Sequence, residues 1–191
     1  MQITKPKQNI PNHAKLVFEG QKMGIYQWEQ EMFDGSVAIF EGLKYHSYTN
    51  VIAITKQGKF LLQREEQPNL GKFINIAGGG MDQGEEPLAS AKRELLEESG
   101  CISNNWHFLF SQSTWNKSDA VGYYFVARNV QKIQEPQLDI GEKVEVFEVS
   151  WQEFVDIVCS DEFRDIGLKM LVLKAYKNGT LEELKKQILG E

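Results

Sequence analysis

The sequence predicts an α/β (α+β) chain in which a mixed β-sheet lies between helices, with a small antiparallel sheet ahead of it. Three observations point there. Short strand-like runs stand on both sides of one central helical segment, turn signals separate those runs, and the C-terminal part closes with helical periodicity. A length of 191 residues suits one domain, with room for an appended N-terminal piece and a sizeable core.

Taken in order, residues 1–14 are polar, carry Pro6 and Pro11, and are expected to form a loose lead-in. Strands follow at Lys15 to Glu19, Gly24 to Glu31 and Ser36 to Leu43, with Phe33-Asp34-Gly35-Ser36 as the turn between the second and third. Asn50 to Thr55 and Lys59 to Arg64 are strands joined by Gln57-Gly58. Beyond the central helix, Trp106 to Ser113 and Gly122 to Asn129 pair around a loop containing Trp115 to Asp119, and Val144 to Val149 follows an acidic loop. Ser150 and Glu153 form a capping box for a helix reaching Cys159. Asp165 to Tyr176 is amphipathic, and Thr180 to Leu189 continues helically.

The central stretch carries the chemistry. Gly78, Gly79, Gly80 and Gly84 interrupt regular structure and let backbone approach backbone or ligand. Pro87 then suits a first helical turn, Gly100 suits a terminator, and Leu88, Ala91, Leu95 and Leu96 supply an apolar stripe between them. On that helix Glu94, Glu97 and Glu98 stand at i, i+3 and i+4, so their carboxylates share a face. Like charges so close need positive charge among them. Hard cations such as Mg²⁺ or Mn²⁺ take oxygen ligands of this kind. Arg93, four residues before Glu97, is placed to orient a carboxylate while the others face a metal. A solvated acidic face is the plain alternative, but the glycine loop, the arginine in register and the closing glycine favour a metal site.

Gly79, Glu85, Arg93-Glu94-Leu95, Glu97-Glu98 and Gly100 also match a known pattern, and the segment resembles the Nudix box GX5EX7REUXEEXGU, where U is a bulky aliphatic residue. Leu95 satisfies the first U, and Cys101 stands at the last with Ile102 behind it. The resemblance implies a Nudix α/β/α sandwich that hydrolyses a diphosphate linkage with Mg²⁺ or Mn²⁺. Glu94, Glu97, Glu98 and the Gly78 carbonyl would hold the metal, and Glu85 would support the loop–helix junction. The segment Tyr26 to Gln30 with Phe33-Asp34-Gly35 is similar to the branch acting on ADP-ribose and other nucleoside diphosphate sugars. That similarity implies an N-terminal extension, residues 1–46, that makes a homodimer, ahead of a hydrolase domain, residues 47–191. Trp28 is then a candidate to stack on a base, and Arg64 is a candidate diphosphate contact rather than a strand-end partner of Glu65 or Glu66. In this branch the base that activates water lies on a loop like Asp139 to Glu145, with Glu142 the leading candidate, Asp139 and Glu145 behind it, and Glu97 the alternative. The chain departs from the branch in having Asn75-Ile76-Ala77-Gly78-Gly79 where Glu-Leu-Pro-Ala-Gly is common, and in lacking a proline between Pro87 and Pro136. Dinucleotides, nucleoside triphosphates, or binding without turnover therefore stay open as alternatives.

A net charge of -6 argues against a nucleic-acid partner, which calls for a basic surface. No signal peptide or long apolar run is apparent, so no membrane association is expected. With two cysteines in no metal-binding spacing, the chain reads as cytoplasmic with reduced thiols. His13, His46 and His107 are scattered and are assigned no site.

Overall fold

The computed structural model describes residues 1–68, 70–113, 115–138 and 140–191. β1 (Lys15–Glu19), β2 (Met23–Glu31) and β3 (Val37–Tyr45) form an antiparallel sheet of their own. The chain then builds β4 (Tyr48–Thr55), β5 (Phe60–Gln67), β6 (Gly71–Asn75) and β7 (Ala77–Gly80) before helix α1 (Pro87–Ser99). After α1 come β8 (Cys101–Ile102), β9 (Asn105–Ser113), β10 (Val121–Lys132) and β11 (Lys143–Val149). The helices α2 (Trp151–Val158), α3 (Ile166–Asn178) and α4 (Leu181–Leu189) follow.

The larger sheet runs in the order β11-β5-β4-β10-β8, with β6 beside β5, β7 beside β4 and β9 beside β10. It is mixed, because β10 pairs with β4 in parallel while its other pairings are antiparallel. Its central strands are apolar without a polar face, as burial on both sides requires. Val51, Ala53, Tyr123, Phe125 and Ala127 point to the layer that holds Ala91 and Leu95 of α1. Ile52, Ile54, Tyr124 and Val126 point the other way, to Phe154, Leu168, Val172, Leu184 and Ile188 of the three C-terminal helices. Alternation along β4 and β10 therefore divides the core into two layers, which makes the α/β/α sandwich. Among the described residues no helix is long and apolar enough to cross a membrane.

Several elements exceed their sequence expectation. The lead-in has no helix or strand, but it is anchored rather than loose: the Asn9 and Ile10 amides donate to Asp119 Oδ1, and Ile10 is buried against Gly42. β5 runs past Arg64 to Gln67, so Glu65 is a strand residue. The glycine segment Ala77–Gly80 is itself a strand, held on β4 through the pairs Asn50 with Gly78 and Thr49 with Gly79. Strand propensity does not favour those glycines; the open edge of β4 does.

Gly100 ends α1 at φ 68°, and a Cβ there would collide with the Gln134 carbonyl. Gly58 has φ 73° but open space around it. Gly58→Ala is therefore expected to cost about 1 kcal/mol for left-handed strain alone. Gly100→Ala is expected to cost about 2–4 kcal/mol, because overpacking adds to the strain. Urea unfolding of the two variants checks this, and equal losses would contradict it.

Candidate active site

α1 starts with Pro87, whose missing N–H is not needed in a first turn, and stops at Gly100, whose N–H bonds to the Leu96 carbonyl. With Ala91 and Leu95 seated on the sheet, Glu94 and Glu98 come to lie one turn apart against it, each only 8% exposed. Glu97 lies further out, its side chain 42% exposed. Burying carboxylates demands compensation, and two devices supply it.

The first is Arg93. Its Nη1 donates to Glu94 Oε1 at 2.8 Å and to Glu97 Oε2 at 3.0 Å. Its Nε and Nη2 donate to the two oxygens of Glu85 at 3.1 and 3.0 Å, and Nη2 also donates to the Gly80 carbonyl at 3.0 Å. The guanidinium is held charged by its bond to Glu85 above all, and Glu85 in turn is kept below the usual carboxylate range by Arg93. The second device serves Glu98, whose Oε2 accepts from the Gly78 amide at 2.8 Å and from Gln63 Nε2 at 3.2 Å. These bonds do not offset burial, which raises the Glu98 carboxyl well above its ordinary value; burial also raises Glu94.

Glycine at position 79 follows from the same packing. A Cβ there would stand 2.5 Å from Glu94 Oε1, so the carboxylate occupies the space a side chain would take. The loop after β10 is tied to the end of α1: the Ile133 and Gln134 amides bond to the Gly100 carbonyl, and the Gln137 amide bonds to the Glu97 carbonyl at 2.7 Å. That attachment carries Glu142 into a cavity of about 440 Å³ together with Arg93, Glu94, Glu97, Glu98 and the Gly78–Gly80 strand. Glu142 makes no hydrogen bond or ion pair among the described residues. Asp139 lies outside the described residues.

Two expected substrate residues stand elsewhere. Arg64 and Glu65 alternate on β5, and Gln63 reaches Glu98, so Arg64 projects from the opposite face. There its guanidinium lies 3.9 Å over the Phe147 ring and 3.7 Å from Glu145, which is thereby paired. Trp28 is buried at 9% exposure, edge-on to Phe40 at 5.9 Å, with its Nε1 donating to Gln30. Neither lines the carboxylate cavity.

Three residues that the sequence left unassigned do belong to this region. Lys22, in the turn between β1 and β2, and His46 both line the cavity, and His46 Nδ1 donates to the Met81 carbonyl at 3.0 Å. Glu65 is buried beside Glu98, and burial, with Glu142 nearby, pushes its carboxyl up to about 7. Its signal was parity with Gln63, readable only once Glu98 was known to meet that face.

A divalent cation fits the donor set. The carboxylates and the Gly78 carbonyl are hard oxygen ligands, two of the three clustered helix carboxylates are buried with raised affinity for protons, and Gln63 Oε1 beside Glu98 is buried without a partner. Among the described residues no three such side chains already converge as a metal cage. Arg93 and Gln63 hold the carboxylates in the metal-free arrangement.

The family model for the NUDIX domain matches residues 44–169, which includes the whole of α1, the glycine strand and the loop bearing Glu142. The chain belongs to the NUDIX family. This Nudix chain is 28% identical over 152 residues to the ADP-ribose pyrophosphatase of Bacillus subtilis (strain 168), covering 78% of this chain and 82% of that protein. It is 27% identical over 149 residues to the methanol dehydrogenase activator of Bacillus methanolicus, covering 76% and 80%. The crystal structure of an ADP compounds hydrolase shares the fold, with a TM-score of 0.70 over 94% of this chain and 97% of that one at 17% identity.

Glu65 supplies a test of this electrostatic arrangement. In the folded chain it holds its proton to about 7, against an ordinary value of 4.5. The stability it contributes is therefore complete below 4.5 and is lost as pH rises through about 7. In EDTA, Glu65→Gln is expected to be more stable than the parent at pH 8, with the gap narrowing towards pH 5. A gap that urea unfolding shows to be independent of pH would contradict this.

Proposed function

We propose that this chain, a Nudix pyrophosphohydrolase, cleaves the diphosphate linkage of ADP-ribose or another nucleoside diphosphate sugar, giving a nucleoside monophosphate and a sugar phosphate. The observation that carries this reading is the complete Nudix box folded so that Glu94, Glu97, Glu98 and Arg93 share one cavity with the unpaired Glu142. Likeness to an ADP-ribose pyrophosphatase across most of both chains supports the substrate class.

Glu94, Glu97 and Glu98, with the Gly78 carbonyl, would hold Mg²⁺ or Mn²⁺. When bound, the ion supplies positive charge that neutralises the diphosphate oxygens. Arg93 keeps the carboxylates in register and, through Glu85 and the Gly80 carbonyl, fixes the glycine strand to α1. Lys22 and His46 give the cavity cationic and imidazole groups on the side of the N-terminal sheet. Glu142 takes a proton from the attacking water as that water's oxygen bonds to phosphorus and the bridging P–O bond breaks. Glu97 is the less suited base, because its Oε2 already accepts from Arg93.

We read residues 1–46 as an assembling extension and 47–191 as the hydrolase domain. The small sheet supports a homodimer: β1 is an edge strand exposed throughout, and Leu16, Val17 and Phe18 on β1, Ile25 on β2, and Val37 and Ile39 on β3 are exposed apolar residues of this sheet. Cys101 and Cys159 stand as free thiols, which fits a reducing cytoplasm.

Glu142→Gln is expected to lower kcat by about 10²–10⁴ with KM little changed, as removal of a general base does. Steady-state kinetics with ADP-ribose and Mg²⁺ check it; a loss of that size in Glu97→Gln with none in Glu142→Gln would reverse the assignment. Light scattering is expected to give twice the chain mass for the parent and a monomer for Phe18→Lys. A parent that is monomeric at micromolar concentration would remove the dimer.

A further inference from the structure

The strand Gly78–Gly80 separates two spaces. One is the carboxylate cavity. On its other side lies a cleft of about 580 Å³, bounded by the same three glycines and by Asn75, Gln112, Ser113 and Arg164. The glycines are small for different reasons. Gly78 is pressed on the Thr49 carbonyl and Asn50 Oδ1, and Gly79 is pressed on Glu94. Gly80 has no such reason. A Cβ at Gly80 would meet nothing within 4 Å, and its backbone is not in the left-handed region. Neither packing nor conformation within this chain calls for glycine there, so the ridge between the two spaces is left bare at that point.

The second cleft also holds a cation of unusual placement. Arg164 is exposed; its charge acts on the buried Glu65, but it forms no salt bridge within 4 Å among the described residues. It is nevertheless fixed: its amide bonds to the Ile74 carbonyl at 2.9 Å, the preceding Phe163 is fully buried, and its guanidinium lies 4.7 Å over the Phe73 ring. Stacking of this kind leaves the guanidinium edge free for a bidentate anion. The neighbouring Asp165 does not compete for it. Its Oδ2 accepts from Asn50 and Tyr124, both at 2.8 Å, and its Oδ1 caps α3 through the Leu168 amide.

We propose that the substrate lies across the glycine strand at Gly80, with one phosphate over the carboxylates and the other gripped by Arg164, so that one organic end occupies the second cleft. Gly80 is then a specificity-determining position, since a side chain there obstructs a diphosphate diester with two organic ends. Arg164 fills the anion-binding role that Arg64 cannot fill from the far face of β5. This deepens the proposed function and rests on its substrate class.

The test is calorimetric titration with α,β-methylene ADP-ribose in Mg²⁺, alongside turnover of ADP-ribose itself. Gly80→Val and Arg164→Ala are each expected to weaken binding at least about tenfold, the loss of a charge-assisted pair in the latter case. Both are expected to keep the parent melting temperature, and Arg164→Lys to fall between parent and alanine. Analogue affinity within twofold of the parent in either Gly80→Val or Arg164→Ala overturns the proposal, and so does a parent that does not bind the analogue. A parent that binds the analogue with these losses yet hydrolyses nothing ends the hydrolase reading and leaves the crossing in place. Normal turnover by Gly80→Val does the reverse.

Discussion

One guanidinium holds the carboxylate cavity together. Arg93 meets Glu85, Glu94, Glu97 and the Gly80 carbonyl at 2.8–3.1 Å, which ties the helix, the loop before it and the glycine strand into a single unit. Breaking a buried charge pair from one side leaves the other charge uncompensated, at a cost of roughly 3–5 kcal/mol for a fully buried pair. Arg93 is partly exposed, so its own contribution to stability is smaller than that. Its geometric effect is not, because among the described residues no other cation bonds to these carboxylates. The placement of Glu94 then dictates glycine at 79, and the Gly78 amide in turn anchors Glu98.

The sandwich makes this affordable. Alternation along β4 and β10 sends Val51, Ala53, Tyr123 and Phe125 under α1 while Ile52, Ile54, Tyr124 and Val126 meet the C-terminal helices. α1 is thereby seated by Ala91 and Leu95 and can present charged residues along its remaining face. The loop after β10 is fastened to the helix end at Gly100 and Glu97, so Glu142 arrives beside the box carboxylates by backbone attachment rather than by its own pairing. A side chain delivered this way keeps its carboxylate free for chemistry.

Much of this was legible in the residue order. α1, its ends, the box carboxylates and Arg93 as their orienter could be read from spacing, because helical periodicity and glycine termination are local signals. β10 and the capped α2 were legible for the same reason. What failed to show was set by neighbours. The strand read from sequence stops at Arg64, with Glu65 and Glu66 only as its possible partners, yet pairing with β6 and β11 extends β5 to Gln67 and turns Glu65 inward. Ala77–Gly80 has no strand propensity and becomes a strand only because β4 offers an unpaired edge. Arg64 looked well placed near the box, but one step of strand parity put it over Phe147. Arg164 carried no motif, and its position depends on a bridge between Ile74 and Phe163 that lies far apart in sequence.

The account comes down to what the carboxylate cavity does to a diphosphate. Phosphorus NMR of ADP-ribose incubated with the chain in Mg²⁺, and in EDTA, examines that directly. The expected result is replacement of the diphosphate resonances by those of AMP and ribose 5-phosphate in Mg²⁺, with none in EDTA. Diphosphate resonances that persist in Mg²⁺ for ADP-ribose and for other nucleoside diphosphate sugars alike would contradict the account.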